Sequence, residues 1–340
     1  MITPITWLLL AIGFVFSIIM AINLGANDAA NPTSVAVGSG VLTIRKALIV
    51  FSIFVVLGAL IQGHAVMKTI GKGVVPEIEI AGAFTAVVVA ALWIFFSSWK
   101  GWPISTTHSI IGAITGYGIA RYGLWNINLS VLSKIVVSWL TSPLAAALLS
   151  IILYKILIWA YKRYGSEKLE RALPYLVIFS VAFSAYSFGM NDVANATGVY
   201  VTVATKLGHI PDEIAMLILG AVASIGIIIG GLTVGPRVIN TVAYRITRLD
   251  LAMGFASGLS NACVVYLFSV IPYHLFGYGM PISTTYAAVG AIVGAGIAKG
   301  RKSVEYKMIG KLFLMWILTL VVTIIATMLF FSIISLIVPP

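Results

Sequence analysis

Two carboxylates stand where apolar side chains are expected. Asp28 lies in Gly25-Ala26-Asn27-Asp28-Ala29-Ala30-Asn31-Pro32-Thr33, directly after the apolar run Ile5–Leu24. Asp192 lies in a near copy, Gly189-Met190-Asn191-Asp192-Val193-Ala194-Asn195-Ala196-Thr197. An ionisable residue inside a bilayer costs at least ~2.5 kcal/mol on insertion scales, so its default reading is functional. Asn27 and Asn31 flank the first carboxylate; Asn191 and Asn195 flank the second. Together they offer hard oxygen ligands, carboxylate and amide carbonyl, of the kind that hold Na⁺. The same carboxylates can instead carry a proton, because desolvation favours the neutral form. The plain alternative is that the asparagines only tie helices together through hydrogen bonds. Two complete copies, each with its own Asp, weigh against it.

A second duplicated motif points to an anion. Pro103-Ile104-Ser105-Thr106-Thr107-His108, with Gly112 and Gly116, is repeated as Pro281-Ile282-Ser283-Thr284-Thr285-Tyr286 with Gly290 and Gly294. Proline followed by Ser and Thr is a helix-opening pattern. A helix that starts at mid-membrane aims free N–H groups and the positive end of its dipole at whatever lies there. The hydroxyls of Ser105, Thr106 and Thr107, with those of Ser283, Thr284 and Thr285, would add a donor-rich cup for a tetrahedral oxyanion. In the bland reading these hydroxyls serve only their own backbone.

No Lys or Arg falls inside either motif. Two Asp and a doubly charged anion would place four negative charges together, so co-bound cations are expected and a cation-coupled symporter is favoured over a uniporter. His64 and His108 read more simply as structural histidines, His209 as a loop residue and His274 as a segment-end one. Trp7, Trp93, Trp99, Trp102, Trp125 and Trp159 fall near segment ends, as interfacial anchors do. Gln62 and Asn261 are buried polar residues without a repeated context. Cys263 is the single cysteine, so no internal disulfide forms. Nucleotide loops, zinc spacings and nucleophile elbows are absent.

The elements that must position these residues are membrane helices. Of 340 residues, 60% are hydrophobic and 9% charged, with a mean hydropathy of +1.08, where a soluble domain carries about 25% charged residues. Ten apolar segments are long enough to cross ~30 Å of hydrocarbon: Ile5–Leu24, Ala47–Gly63, Ala81–Ser97, Pro103–Ala120, Ile135–Ala160, Leu173–Phe188, Ile214–Gly231, Leu251–Ile271, Pro281–Ala298 and Leu312–Val338. Gly- and Pro-rich ones such as Pro103–Ala120 also fit re-entrant hairpins, and Ala29–Val41 fits a half-helix. The first run has no basic leader or cleavage site, so it reads as a membrane segment and not as a signal peptide.

The net charge of +11 does not indicate nucleic acid, because the basic residues sit in short loops, where they meet anionic lipid. With the N-terminus outside, sixteen of them fall inside and five outside (Lys68, Lys72, Arg121, Lys134, Lys206), which accounts for all 21. Both termini are then extracellular and the central loop cytoplasmic. The first motif recurs at an offset of 164, the second at 178, and Trp139 and Trp316 correspond at 177. Five segments per half force the second half to enter from the opposite side. The expected fold is therefore an all-α polytopic membrane protein of two inverted repeats, residues 1–160 and 173–340, joined by a short basic linker, 161–172, with a site at their interface.

The two Asn-Asp motifs and the paired Pro-Ile-Ser-Thr-Thr segments resemble the inorganic phosphate transporter (PiT) family across nearly the whole chain. The usual family motif has Val where Ala29 stands and Ala where Met190 stands; neither change touches a polar ligand. The resemblance implies a phosphate symporter driven by Na⁺ or H⁺, with no other cofactor. It also implies inverted repeats, re-entrant hairpins carrying the Ser-Thr-Thr runs, and about twelve crossings with the hairpins included. The short central linker suits a microbial, transport-only member residing in the cell membrane. A sulfate symporter of the same family, a passive anion channel and an intramembrane enzyme are the rival readings. Phosphate keeps a proton to donate to a carboxylate, an anion pore would avoid embedded Asp, and no nucleophile–base pair supports an enzyme. The coupling ion and the oligomeric state stay open at this level.

Overall fold

The computed structural model of the chain describes residues 4–67, 74–164, 166–206, 212–277 and 279–337. Lys68, Lys72 and His209 lie outside them. Regular structure among the described residues is helical, apart from one isolated bridge between Thr247 and Val304. The first half runs α1 (Pro4–Asp28), α2 (Ala30–Gly38), α3 (Ile44–Gln62), α4 (His64–Met67), α5 (Ile80–Trp99), α6 (Thr106–Tyr122) and α7 (Leu129–Tyr164). The second half runs α8 (Ser166–Lys206), α9 (Glu213–Thr233), α10 (Gly235–Arg245), α11 (Leu251–Phe276), α12 (Thr284–Lys299) and α13 (Tyr306–Ile337). The basic join is helical on both sides of residue 165, since α7 runs through Tyr164 and α8 opens at Ser166.

Eight helical stretches among the described residues are long and apolar enough to cross a membrane, against ten expected segments. The two that fall short are the Pro103–Ala120 and Pro281–Ala298 segments. Their helices, α6 and α12, have 17 and 16 residues. Each is the second arm of a helical hairpin, α5–α6 or α11–α12, whose connecting tip carries Pro-Ile-Ser. The tips are buried in protein, with Ile104, Ser105, Ile282 and Ser283 at 0 to 1% exposure, which is where irregular backbone is tolerated at membrane depth.

One proline explains the break between α1 and α2. Pro32 has no N–H for the carbonyl of Asp28, four residues earlier, and its ring crowds that carbonyl. α1 accordingly ends at Asp28, and α2 restarts at Ala30. The second copy has Ala196 at the matching position, and α8 runs through it unbroken.

The molecule is apolar outside and polar within. Leu144, Leu148 and Leu329 are 60 to 70% exposed, while Asp28 and Asp192 are fully buried. With lipid as the solvent, exposed leucine has no need to hide and a carboxylate does.

The two halves interlock. α1 packs on α9, as α8 packs on α3; α6 packs on α13, as α12 packs on α7; α2 packs on α10, as α8 packs on α4. Glycines permit the closest of these approaches. A Cβ at Gly25 would sit 1.8 Å from the carbonyl oxygen of Ile227, and one at Gly189 would sit 2.1 Å from that of Val55. Gly116 abuts the Ile324 carbonyl and Gly294 that of Ala147, both at 2.3 Å by the same measure. The repeated glycines therefore mark matching backbone-to-backbone seams, and small residues at such seams are what close helix packing in a bilayer requires.

Candidate anion and cation site

Asp28 ends α1, and Asp192 lies within α8. Between them come the two hairpin tips. Ser105 caps α6, its Oγ accepting from the His108 backbone N–H at 3.2 Å, and Ser283 caps α12 in the same way from Tyr286 at 3.3 Å. These two hydroxyls thus serve their own helices, the bland role for this motif. Ser105 Oγ also lies 2.5 Å from His108 Nδ1.

The threonines reach further. Thr106 Oγ1 donates to Asp28 Oδ2 at 2.6 Å, a short charge-assisted contact if the carboxylate is ionised. Thr285 Oγ1 lies 3.1 Å from Asp28 Oδ1 and 3.0 Å from the Ile104 carbonyl, so its single proton is shared between them. Thr107 Oγ1 donates across the interface to the Ile282 carbonyl at 3.1 Å. Each tip is therefore tied to the other by its third hydroxyl.

The asparagines complete the crossing. Asn31 Nδ2 donates to Thr284 and Thr285 Oγ1, both at 3.2 Å. Asn195 Nδ2 donates to Thr107 Oγ1 at 3.1 Å and to Asp192 Oδ1 at 2.9 Å. Asn27 and Asn191 hold the bases of the tips: Asn27 Nδ2 reaches Ser98 Oγ (3.0 Å) and the Trp102 carbonyl (2.9 Å). Asn191 Nδ2 reaches Ser269 Oγ (2.6 Å) and the Met280 carbonyl (3.2 Å). All twelve side chains singled out in the two sequence motifs fall in this one cluster, none more than 3% exposed. The clean division into an anion set and a cation set does not appear, because Thr106 and Thr285 are bonded to Asp28.

The two copies differ in how far they are satisfied. Asn27 Oδ1 accepts from the Ile104 N–H at 3.1 Å, and both Asp28 oxygens have hydroxyl partners. In the second copy Asn191 Oδ1 and Asn195 Oδ1 are buried without a hydrogen-bond partner, and Asp192 Oδ2 accepts no hydrogen bond although the Thr284 hydroxyl lies near that carboxylate. Asn195 Nδ2 links the two carboxylates, 2.9 Å from Asp192 Oδ1 and 3.5 Å from Thr106 Oγ1, which itself bonds Asp28. Buried acceptors without donors are uncommon and call for an explanation. Two amide oxygens flanking a carboxylate fit a small cation, which satisfies acceptors that no N–H reaches.

Sequence reasoning missed several members of the cluster. Ser98 and Ser269 carry no common offset with the motifs, because α11 continues seven residues past Ser269 whereas α5 ends one residue past Ser98. The carbonyls of Ile104 and Ile282 carry no side-chain signal at all. An aromatic column beside the tips also emerges only in three dimensions. Trp139 stacks on His108 with centroids 3.5 Å apart, His108 lies 4.5 Å from Tyr286, and Tyr286 stacks on Trp316 at 3.8 Å. Positions 108 and 286 match in the repeat, as do 139 and 316, so the column is symmetric about the His108–Tyr286 contact, with two rings from each half. Gln62 accepts from the Tyr186 hydroxyl at 2.9 Å and Asn261 donates to Ser184 Oγ at 2.8 Å, which gives both a structural partner.

A dry, duplicated polar cluster at the seam of two interlocked helical halves, with an apolar outer surface, belongs to a membrane transporter and not to an enzyme. The profile of the Phosphate transporter family matches residues 24–327, and the chain is a member of that family. It is 31% identical to a protein of Pyrococcus furiosus described as a "putative phosphate permease", with 93% of each chain covered. A Pyrococcus horikoshii protein of the same description is also 31% identical, over 97% of this chain and 98% of its own. Among solved structures, one described as "the sodium-dependent phosphate transporter" superposes with a TM-score of 0.85 at 27% identity, covering 97% of this chain and all of that one.

Proposed function

We propose that the chain takes up inorganic phosphate by symport with Na⁺, by alternating access, through the cluster between the hairpin tips. The observation that carries this reading is the pair of buried amide oxygens without a donor, Asn191 Oδ1 and Asn195 Oδ1, which flank Asp192 in α8, with no Lys or Arg among the described residues bonded to the cluster. A proton would satisfy a carboxylate but leaves amide oxygens unserved; Na⁺ binds both. The description of the solved relative as sodium-dependent supports the same choice. Phosphate is favoured over sulfate because it can donate its proton to Asp28 or Asp192.

In this arrangement the cup is closed on itself. Its threonine hydroxyls bond to Asp28 and to the opposite tip, and arriving phosphate exchanges those bonds for its own oxygens. The paired ties from Thr107 to Ile282 and from Thr285 to Ile104 suit a gate that opens on one side at a time. Contacts that exchange in pairs between the halves support the inverted-repeat reading of residues 1–160 and 173–340 about the 161–172 join. The excess of sixteen basic residues over five supports a cell-membrane protein with that join cytoplasmic and both termini outside.

Binding tests the coupling directly. A shared site requires reciprocal linkage, so Na⁺ should raise phosphate affinity by the same factor as phosphate raises Na⁺ affinity. Titrations of the purified protein that find phosphate affinity equal in Na⁺ and in choline, at fixed ionic strength, would exclude Na⁺ as the coupled ion.

A further inference from the structure

At the foot of the second hairpin, away from the cluster, the chain forms a basic cavity. Its volume is about 730 Å³, and its walls include Arg245, Arg248, Lys299, Lys302, Lys307 and Lys311. The walls are firmly built. Thr247 forms the isolated bridge with Val304 and donates from Oγ1 to the Ser303 carbonyl at 2.7 Å. Ser303 Oγ in turn donates to the Gly296 carbonyl at 2.7 Å. Lys299 is paired with Asp250 at 2.8 Å. Among the described residues, the other five cations make no ion pair, and Glu305 is the one carboxylate on the wall.

The first repeat contains the same corner with different chemistry. There Arg121, equivalent to Lys299, pairs with Glu79 at 3.0 Å, and Glu79, like Asp250, is the residue before the first helix of its hairpin. The 3-10 turn that follows reads Leu124-Trp125-Asn126, whereas the second repeat reads Arg301-Lys302-Ser303. Ser130 stands where Lys307 stands. The corner therefore folds without the extra cations. Positive-inside sorting accounts for basic residues in a loop, but not for their convergence on one concavity, where like charges repel each other.

We propose that this cavity binds a phosphate-bearing anion, either an anionic phospholipid headgroup or a free phosphate species. Arg248, Lys302 and Lys307 supply charge-assisted donors, and Tyr244 and Thr247 line the same space. The site is separate from the transport cluster and stands whether or not the Na⁺ reading holds.

The test uses the full chain in neutral detergent, titrated with short-chain phosphatidylglycerol and with phosphatidylcholine. The wild type should bind the anionic lipid tightly and the zwitterionic one weakly. The double variant Lys302→Gln/Lys307→Gln should lose at least tenfold in affinity for the anionic lipid, with an unchanged gel-filtration profile. Lys162→Gln/Arg163→Gln, which removes two exposed charges from the end of α7, should bind like the wild type. Competition with pyrophosphate then separates the sources: displacement of the lipid assigns the site to free phosphate species as well, and failure to displace assigns it to the lipid headgroup. Equal affinity in the Lys302/Lys307 variant and wild type, or an equal loss in the Lys162/Arg163 variant, would overturn the proposal in favour of diffuse surface charge.

Discussion

Replacing Thr106 by Val keeps the shape of the side chain and deletes one hydroxyl, the one that lies 2.6 Å from Asp28 Oδ2. No cavity opens, because the methyl replaces the oxygen. In water the lost bond would be exchanged for one to solvent at little cost. Here Thr106 is 1% exposed and Asp28 is fully buried, so no water takes over. A hydrogen bond to a charged group is worth ~1.5–3 kcal/mol, which is roughly 10- to 150-fold in affinity at 1.4 kcal/mol per decade. If the hydroxyl turns from Asp28 to phosphate on binding, the variant should bind phosphate weaker in saturating Na⁺, with that factor as the upper limit because the empty variant lacks the Asp28 bond as well. Thr284→Val, on the opposite tip, should behave alike, and the two losses should multiply in the double variant. Calorimetric titration of phosphate into purified protein measures both. Wild-type affinity in each single variant would refute the argument, leaving Thr106 as a brace for Asp28 and the anion elsewhere.

Ser105→Ala should separate capping from binding: loss of the α6 cap should lower stability by ~0.5–2 kcal/mol, read as a lower melting temperature, with phosphate affinity near wild type. Asp28→Asn and Asp192→Asn should each leave folded protein in the membrane and abolish concentrative uptake in vesicles; normal accumulation by both would make the carboxylates structural only. Pro32→Ala restores an N–H opposite the Asp28 carbonyl and should join α1 to α2. A thermal melt should then show a gain of up to ~3 kcal/mol, while Na⁺ titration should show weaker binding if that carbonyl is a ligand.

Much of the site could be read in the sequence because it was written twice. Asp28 and Asp192 stood out against apolar surroundings, and the matching offsets implied that their halves meet. The Pro-Ile-Ser-Thr-Thr runs likewise marked helix starts, and Ser105 and Ser283 do cap α6 and α12. Hydropathy could not separate a crossing helix from a hairpin arm, because α6 and α12, with 17 and 16 residues, are apolar and nearly as long as a crossing requires. It also could not foresee that Thr106 would bond Asp28 while Asn195 bonds Thr107. Those contacts span 78 and 88 residues of chain, the second of them between the halves, and depend on how the tips meet. The difference between the two copies, one satisfied and one with orphaned amide oxygens, is invisible in motifs that are nearly identical. It arises because Asn27 Oδ1 finds the Ile104 N–H while Asn191 Oδ1 finds no counterpart.

Labelled phosphate uptake into proteoliposomes containing only this chain tests the central claim most directly. An inward Na⁺ gradient should drive accumulation above the external concentration, an inward H⁺ gradient alone should not, and excess sulfate should compete poorly. Equilibration without accumulation under either gradient, or accumulation that follows the proton gradient and ignores Na⁺, would contradict it.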